Sequence, residues 1–132
     1  MLKNFILIFI AALFILSCDK YETDNLFDTG KENIFRVQTD YQSANKKVMF
    51  SINKITDSRC PSDVWCVWQG EAVVEISVKK PELKIIELST YNNLMDTVGN
   101  YVFGLTDVSP YPVSTETISQ EDYEVTLKIE RL

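Results

Sequence analysis

Apolar and polar residues alternate along much of the chain between residues 33 and 132. The clearest case is segment 72–78, in which every second residue is apolar (Ala, Val, Ile, Val). The same period of two, regular or weaker, recurs in five further segments: 34–38, 48–53, 83–88, 101–108 and 123–130. Because successive side chains of a strand point to opposite faces, this pattern predicts strands with one buried face.

Turn-forming residues separate the predicted strands, as at Asn92-Asn93, Gly99-Asn100 and residues 109–112. The sequence shows no amphipathic helix after its N-terminal segment. Short strands joined by turns are typical of all-β domains. Residues 33–132 are therefore predicted to form a small antiparallel β-sandwich of about six or seven strands, with a small β-barrel as the alternative.

A different pattern opens the chain, where Lys3 precedes an uninterrupted apolar run over residues 5–16. A run of this length fits the apolar region of a secretory signal peptide, whereas a membrane-spanning helix needs about 20 apolar residues. We therefore expect residues 1–17 to be a signal helix that is removed from the mature protein.

The end of this run, Ile15, Ser17 and Cys18, resembles the lipobox of bacterial lipoproteins. The resemblance implies cleavage before Cys18, a diacylglyceryl thioether on its sulfur and a fatty acid such as palmitate on its new amino group. Two or more acyl chains hold a protein firmly at a membrane. The expected location is the cell envelope, on the periplasmic or cell-surface side of a membrane. An ordinary signal peptide with a free Cys18 is the alternative.

Residues 18–32 are polar and acidic, which is typical of a flexible tether between the lipidated cysteine and the domain. Leu26-Phe27 is the only apolar pair in this tether, so it is the part that could dock onto the domain. The predicted organisation is thus a signal peptide (1–17), a lipidated tether (18–32) and a β-sandwich (33–132).

Charge and composition argue against several classes of partner and of catalytic or metal site. Without Lys3 of the leader, twelve Lys and Arg residues face nineteen Asp and Glu residues, a net charge of −7 that disfavours nucleic acid as a partner. The chain has no histidine, which excludes Ser-His-Asp and Cys-His catalysis and His-based zinc sites. We expect no enzymatic activity, no cofactor and no metal; a carboxylate-dependent hydrolase is the remaining enzymatic alternative.

Three cysteines divide into Cys18 for lipid and a pair, Cys60 and Cys66. In an oxidising compartment these two are expected to form a disulfide. Closing so short a loop stabilises the folded state by about 2.4 kcal/mol on a chain-entropy estimate. A redox role is the alternative, but the spacing is not the C-x-x-C of thiol oxidoreductases.

Segment 59–72 reads R-C-P-x-x-V-x-C-x-W-x-G-E-A, a pattern similar to that of a group of small, uncharacterised bacterial exported proteins and lipoproteins. Segment 105–112, Leu-Thr-Asp-Val-Ser-Pro-Tyr-Pro, resembles the second marker of that group. The resemblance implies an all-β fold and brings no activity, ligand or functional residue with it.

The cysteine loop has two interpretations. In the structural one, Trp68 or Val67 fills an end of the sandwich, and Arg59 pairs with Asp57, Asp63 or Glu71. In the functional one, Trp65 is presented on a stiff disulfide turn as a binding anchor. Tyr111, held between two prolines, either adds to this surface or caps the core, and the second reading is favoured. The candidate binding surface comprises Arg59, Asp63, Trp65, Trp68 and Tyr111.

The favoured function is that of a membrane-anchored, non-enzymatic binding or structural module, which contacts another envelope protein or a glycan. The alternative is a protein inhibitor of a secreted hydrolase that acts through the Cys60–Cys66 loop.

The anchor leads to a direct prediction. Replacement Cys18→Ala removes the only sulfur that can carry the diacylglyceryl group, so incorporation of a fatty-acid probe should be abolished. Labelling in growing cells followed by gel fluorescence measures this. A Cys18→Ala variant that still takes up the probe would show that the lipobox interpretation is wrong.

Overall fold

The structure, a computed structural model, describes residues 25–132. The predicted signal segment, Cys18 and the tether before residue 25 lie outside the described residues. Nine strands follow in chain order: β1 (Leu26–Phe27), β2 (Glu32–Arg36), β3 (Asp40–Ser43), β4 (Met49–Asp57), β5 (Ala72–Lys80), β6 (Lys84–Ser89), β7 (Met95–Val98), β8 (Tyr101–Ser109) and β9 (Glu124–Arg131). A 3-10 helix spans Gln120–Asp122.

The strands form two separate sheets, ordered β1-β3-β4-β5-β6 and β2-β9-β8-β7. All neighbouring strands pair antiparallel except the short parallel pair β1–β3. This architecture confirms the predicted small β-sandwich, and the barrel alternative is wrong because the two sheets do not close on each other. The extra strands relative to the prediction are β1, β3 and β7, which have two, four and four residues.

The core lies where the inward faces of the two sheets meet, and it follows the alternation in the sequence. In β5 the residues Ala72, Val74, Ile76 and Val78 are buried while those between them are partly exposed. In the same core, Phe35 and Phe50 meet edge to face with ring centroids 5.0 Å apart. Such contacts add roughly 0.5–1.5 kcal/mol each to the burial of the rings.

The folded domain begins before the predicted boundary at residue 33. Phe27 is only 5% exposed, and its ring packs edge to face on Phe35 and Phe50, at 5.4 and 5.5 Å. The predicted docking is therefore confirmed for Phe27, whereas Leu26 remains exposed. The last part of the predicted tether belongs to the domain, because its one aromatic side chain completes the core.

The directions of the strands place the connecting loops at two opposite ends of the sandwich. Strands β4 and β8 run toward one end and β5, β7 and β9 start from it, so residues 58–71, 90–94 and 110–123 lie together there. We call this the disulfide end. The turns at residues 28–31, 44–48, 81–83 and 99–100 lie at the opposite end. Every residue of the candidate binding surface therefore belongs to loops at one end of the sandwich.

The position of Phe27 leads to a prediction about stability. Phe27→Ala should lower the free energy of unfolding by about 3–5 kcal/mol, because it leaves a cavity between Phe35 and Phe50. Its neighbour Leu26 is exposed, so Leu26→Ala should change stability by no more than about 0.5 kcal/mol. Urea denaturation of both variants measures the difference; equal stabilities would place residues 26–27 outside the folded unit.

Candidate functional site

A buried ion pair lies beneath the cysteine loop. Asp57 is the last residue of β4, and Arg59 follows two positions later. The Arg59 guanidinium donates from Nε to Oδ1 of Asp57 at 2.9 Å and from Nη2 to Oδ2 at 2.7 Å. The Asp57 carboxylate also accepts the backbone N–H of Arg59 at 3.1 Å, as Asp side chains do in tight turns. Only 6% of the Arg59 side chain and 7% of the Asp57 side chain are exposed.

Arg59 also joins the two segments that carry the sequence resemblance. Its Nη1 donates to the carbonyl oxygen of Val108 at 2.7 Å, and its Nη2 donates to that of Pro110 at 3.0 Å. The guanidinium carbon lies 4.7 Å from the centre of the Tyr111 ring, within cation–π distance. The end of β4 and the segment after β8 are therefore held together by one side chain.

The electrostatics of this cluster favour its charged form. Burial alone would raise the pKa of Asp57, but hydrogen bonds from Arg59, the charge of Arg59 and a hydrogen bond from Tyr123 hold that pKa below its usual value. The pKa of Arg59 is raised, because its pairing with Asp57 outweighs the cost of burial. Burial and the bond to Asp57 raise the pKa of Tyr123 to about 12.

The cysteine loop itself is closed by the predicted disulfide. Cys60 and Cys66 are bonded, with their Cα atoms 5.9 Å apart. Below the disulfide, the β4–β5 hairpin continues through hydrogen bonds from Ser58 N to Glu71 O at 2.9 Å and from Cys60 N to Gln69 O at 2.8 Å. Gly70 has a φ of +67°, and a Cβ there would overlap the carbonyl oxygen of Ser58. The loop thus requires glycine at this position.

A second set of hydrogen bonds fastens the loop to the chain after β8. Ser62 N donates to the carbonyl oxygen of Pro112 at 3.0 Å. Asp63 accepts from the backbone N–H of Ser114 at 2.8 Å and, with its other oxygen, from the Ser114 hydroxyl. The hydroxyl and backbone hydrogen bonds from Ser114 lower the pKa of Asp63. The loop is therefore fixed along both of its sides.

Large apolar side chains are exposed on and around this fixed loop. Trp65 is 92% exposed, and Trp68 is 62% exposed with its ring edge to face against Tyr91 at 5.9 Å. We call the exposed apolar residues on this loop and in the neighbouring segments the aromatic surface. They are Val64, Trp65, Val67, Trp68, Tyr91, Leu94 and Tyr111.

A groove of about 300 Å³ opens within the aromatic surface. Tyr91 and Tyr111 line it together with the apolar side chains of Leu94 and Leu105, and Asp107 adds a carboxylate. This volume is at the lower end of the range for ligand pockets, which is about 300–1,000 Å³. The groove can accommodate one or two side chains or sugar rings, but not a large cofactor.

The structure corrects part of the predicted site. The expected exposure of Trp65 is confirmed. The idea that Trp68 or Val67 fills the end of the sandwich is wrong, because Arg59 and Asp57, packed with Tyr123, already occupy that space. For the same reason Arg59 supports the surface from below and is not an exposed contact residue.

Two further predicted residues take intermediate positions. Asp63 is exposed, but both of its carboxylate oxygens are engaged by Ser114. Tyr111 was expected to cap the core; it is 51% exposed, so it belongs to the surface while Arg59 packs on its ring.

Sequence reasoning missed Tyr91, Leu94 and Asp107. The sequence predicts a turn at Asn92-Asn93, and the apolar residues Tyr91 and Leu94 on either side of it are a usable signal for this surface. No sequence signal identified Asp107.

The carboxylates of the loop do not form a shared metal site. Asp57 is engaged by Arg59 and Tyr123, Asp63 by Ser114, and Glu71 by Asn92 at 3.3 Å. Among residues 25–132 there is no group of three or more metal-ligating side chains.

No protein family, curated protein or solved structure significantly matches this chain. Within the part of the chain that the structure describes, no helix is long and apolar enough to cross a membrane. A functional assignment therefore depends on the chemistry of the disulfide end.

The buried pair predicts a large and pH-dependent loss of stability. Arg59→Met should lower the free energy of unfolding at neutral pH by about 3–5 kcal/mol, because it leaves the Asp57 carboxylate buried without its partner. The matched control is Arg36→Met, which removes the exposed pair between Arg36 and Glu124 and should cost about 0–1 kcal/mol.

At acidic pH, the loss of unfolding free energy caused by Arg59→Met should be smaller than at neutral pH. The pKa of Asp57 is lowered in the folded wild type, so the pair's contribution is present above the usual aspartate pKa and is lost as pH falls below it. In the variant, protonation removes the uncompensated charge. Urea denaturation between neutral and acidic pH measures both effects, and a deficit that does not change with pH would contradict this account.

Proposed function

We propose that this protein is a lipid-anchored lipoprotein of the cell envelope and that its β-sandwich is a non-enzymatic binding module. The aromatic surface is the part that contacts the partner. The observation that carries this proposal is the exposure of Trp65 and Trp68 on a loop that is held rigid from below.

Exposed aromatic residues in a cluster support a binding role. Single exposed apolar side chains are common on protein surfaces, but contiguous apolar patches usually mark interaction sites. The exposed set here includes two Trp and two Tyr residues, Trp65, Trp68, Tyr91 and Tyr111. Tryptophan and tyrosine are among the residues that contribute most to binding energy at interfaces.

The rigidity of the loop supports the same role. Binding by a flexible loop costs entropy, about 0.5–1.5 kcal/mol for each immobilised side chain. In this protein the disulfide, the Asp57–Arg59 pair and the Asp63–Ser114 contact already fix the backbone around Trp65. The loop therefore meets a partner in a shape that needs little further ordering.

The lipobox supports the location. A protein anchored through Cys18 shares a surface with other envelope components, so even a modest affinity leads to binding at a high local concentration. Another envelope protein or a glycan is the expected class of partner.

A second candidate function is inhibition of a secreted hydrolase. Val64 and Trp65 are exposed within the disulfide-closed loop, and Val67 is exposed directly after it. A rigid loop with exposed apolar side chains can enter an active-site cleft. Inhibition assays against a panel of lysozymes and proteases separate this candidate from the first. A hydrolase activity of the protein itself has less support, because glycosidase chemistry requires two facing carboxylic acids and the groove offers Asp107 alone.

Site-specific photocrosslinking in intact envelopes tests the proposed function. A benzophenone amino acid in place of fully exposed Val67 should give a discrete adduct upon irradiation. The adduct should weaken with Trp65→Ala or Trp68→Ala in the same chain. The control places the crosslinker at Leu83, which is also apolar and highly exposed but lies at the opposite end.

The two positions decide the outcome together. An adduct specific to position 67 supports the aromatic surface as the contact site. No adduct at position 67, or the same adducts at both positions, would show that this surface has no dedicated partner.

A further inference from the structure

An irregularity in β8 exposes two consecutive side chains next to the groove. The pairing of β8 with β9 shifts between Leu105 and Asp107, so Thr106 is an extra residue in β8. Leu105 and Val108 are buried, whereas Thr106 and Asp107 both face solvent and line the groove. Bulges of this kind often redirect side chains beside functional sites.

The groove brings aromatic rings and a carboxylate together. Tyr91 and Tyr111 line it with Asp107, and Leu94 and Leu105 provide apolar contact. A cation is attracted both to the face of an aromatic ring and to a carboxylate. The Tyr111 ring already accepts one guanidinium, that of Arg59, so cation–π geometry is available at this site.

The net charge of the groove is that of Asp107. Arg59 also lines the groove, but its charge is matched by the two-point hydrogen bond to Asp57, and its other donors reach Val108 and Pro110. Asp107 takes part in none of the ion pairs among residues 25–132.

The charge of the whole domain is divided between its two ends. The disulfide-end segments 57–71, 90–94 and 110–123 contain six carboxylates and a single cation, the neutralised Arg59. Segments at the opposite end contain seven Lys or Arg residues and three carboxylates: 28–32, 44–48, 79–84, 99–100 and 131–132. A positively charged partner is therefore drawn to the aromatic surface and repelled from the opposite end.

We propose that the groove binds a Lys or Arg side chain from a basic segment of a partner protein. The charged group lies against Asp107 and the Tyr91 ring, and its aliphatic stem packs on Leu94 and Leu105. This inference rests on the proposed binding function and specifies its partner. A neutral glycan would gain nothing from the charge of this end, and an anionic one would be repelled.

The chain offers a direct probe of this surface. Its two tryptophans, Trp65 and Trp68, both lie on the aromatic surface. Incorporation of fluorotryptophan therefore gives two fluorine NMR signals that report only on this region. The experiment uses the full protein purified from its envelope in detergent.

Three ligands are titrated in parallel. The first is the acetylated peptide Gly-Ser-Arg-Leu-Arg-Ser-Gly, the second is the same peptide with Gln in place of both Arg residues, and the third is the neutral sugar chitotetraose. The Arg peptide should shift the Trp68 signal in a saturable manner, because Trp68 packs on Tyr91 at the groove. Added salt should weaken this response, and the Gln peptide and the sugar should have little effect.

Matched variants test the named residues. Asp107→Asn and Tyr91→Leu should each weaken binding of the Arg peptide by about 2- to 5-fold, the usual worth of an exposed ion pair or cation–π contact. Glu32→Gln removes the same charge from an exposed residue at the opposite end and should leave binding unchanged.

The possible results separate this inference from the proposed function. An equal response to the Gln peptide, a stronger response to chitotetraose, or no response to the Arg peptide overturns the basic partner. Equal effects of Asp107→Asn and Glu32→Gln overturn the assignment to the groove. None of these results would show that the aromatic surface is not a binding site. That question is decided independently by the crosslinking at position 67.

Discussion

The disulfide end is organised by one buried ion pair. The Asp57 carboxylate gives Arg59 a charged acceptor within the protein, so a guanidinium can be buried where two loops meet. With its charge matched, Arg59 still has donors for the carbonyl oxygens of Val108 and Pro110. Buried ion pairs contribute little net stability compared with apolar packing. The main effect of the Asp57–Arg59 pair is to fix the position of the loop relative to the segment after β8.

The aromatic surface follows from that constraint. Because polar side chains fill the space beneath the loop, Trp68 and Val67 have no cavity to enter and remain exposed. The hairpin continues past β4 and β5 up to the disulfide, and Gly70 allows its strands to approach closely. Rigidity and apolar exposure are thus two results of the same arrangement, and together they are the basis of the functional proposal.

The sequence predicted the elements whose signal is local. Segment 72–78 alternates over enough residues to identify β5, whereas β1 has two residues and β7 has four, too few to show a period. The disulfide followed from the expected oxidising compartment, and the exposure of Trp65 followed from its position between the two cysteines. The contacts of Arg59 with Val108 and Pro110, and the position of Asp107 in the same groove as Tyr91, depend on contacts between distant segments and on a bulge. Such features have no local signature in one sequence.

The chain contains no histidine, and the groups that brace the loop have pKa values displaced away from neutrality, downward for Asp57 and upward for Arg59 and Tyr123. None of these groups therefore changes charge in weakly acidic or weakly alkaline surroundings. At the envelope location that we propose, the protein would meet the acidity of its environment without cellular buffering. The geometry of the cysteine loop would then be the same across the range of habitats in which that acidity varies.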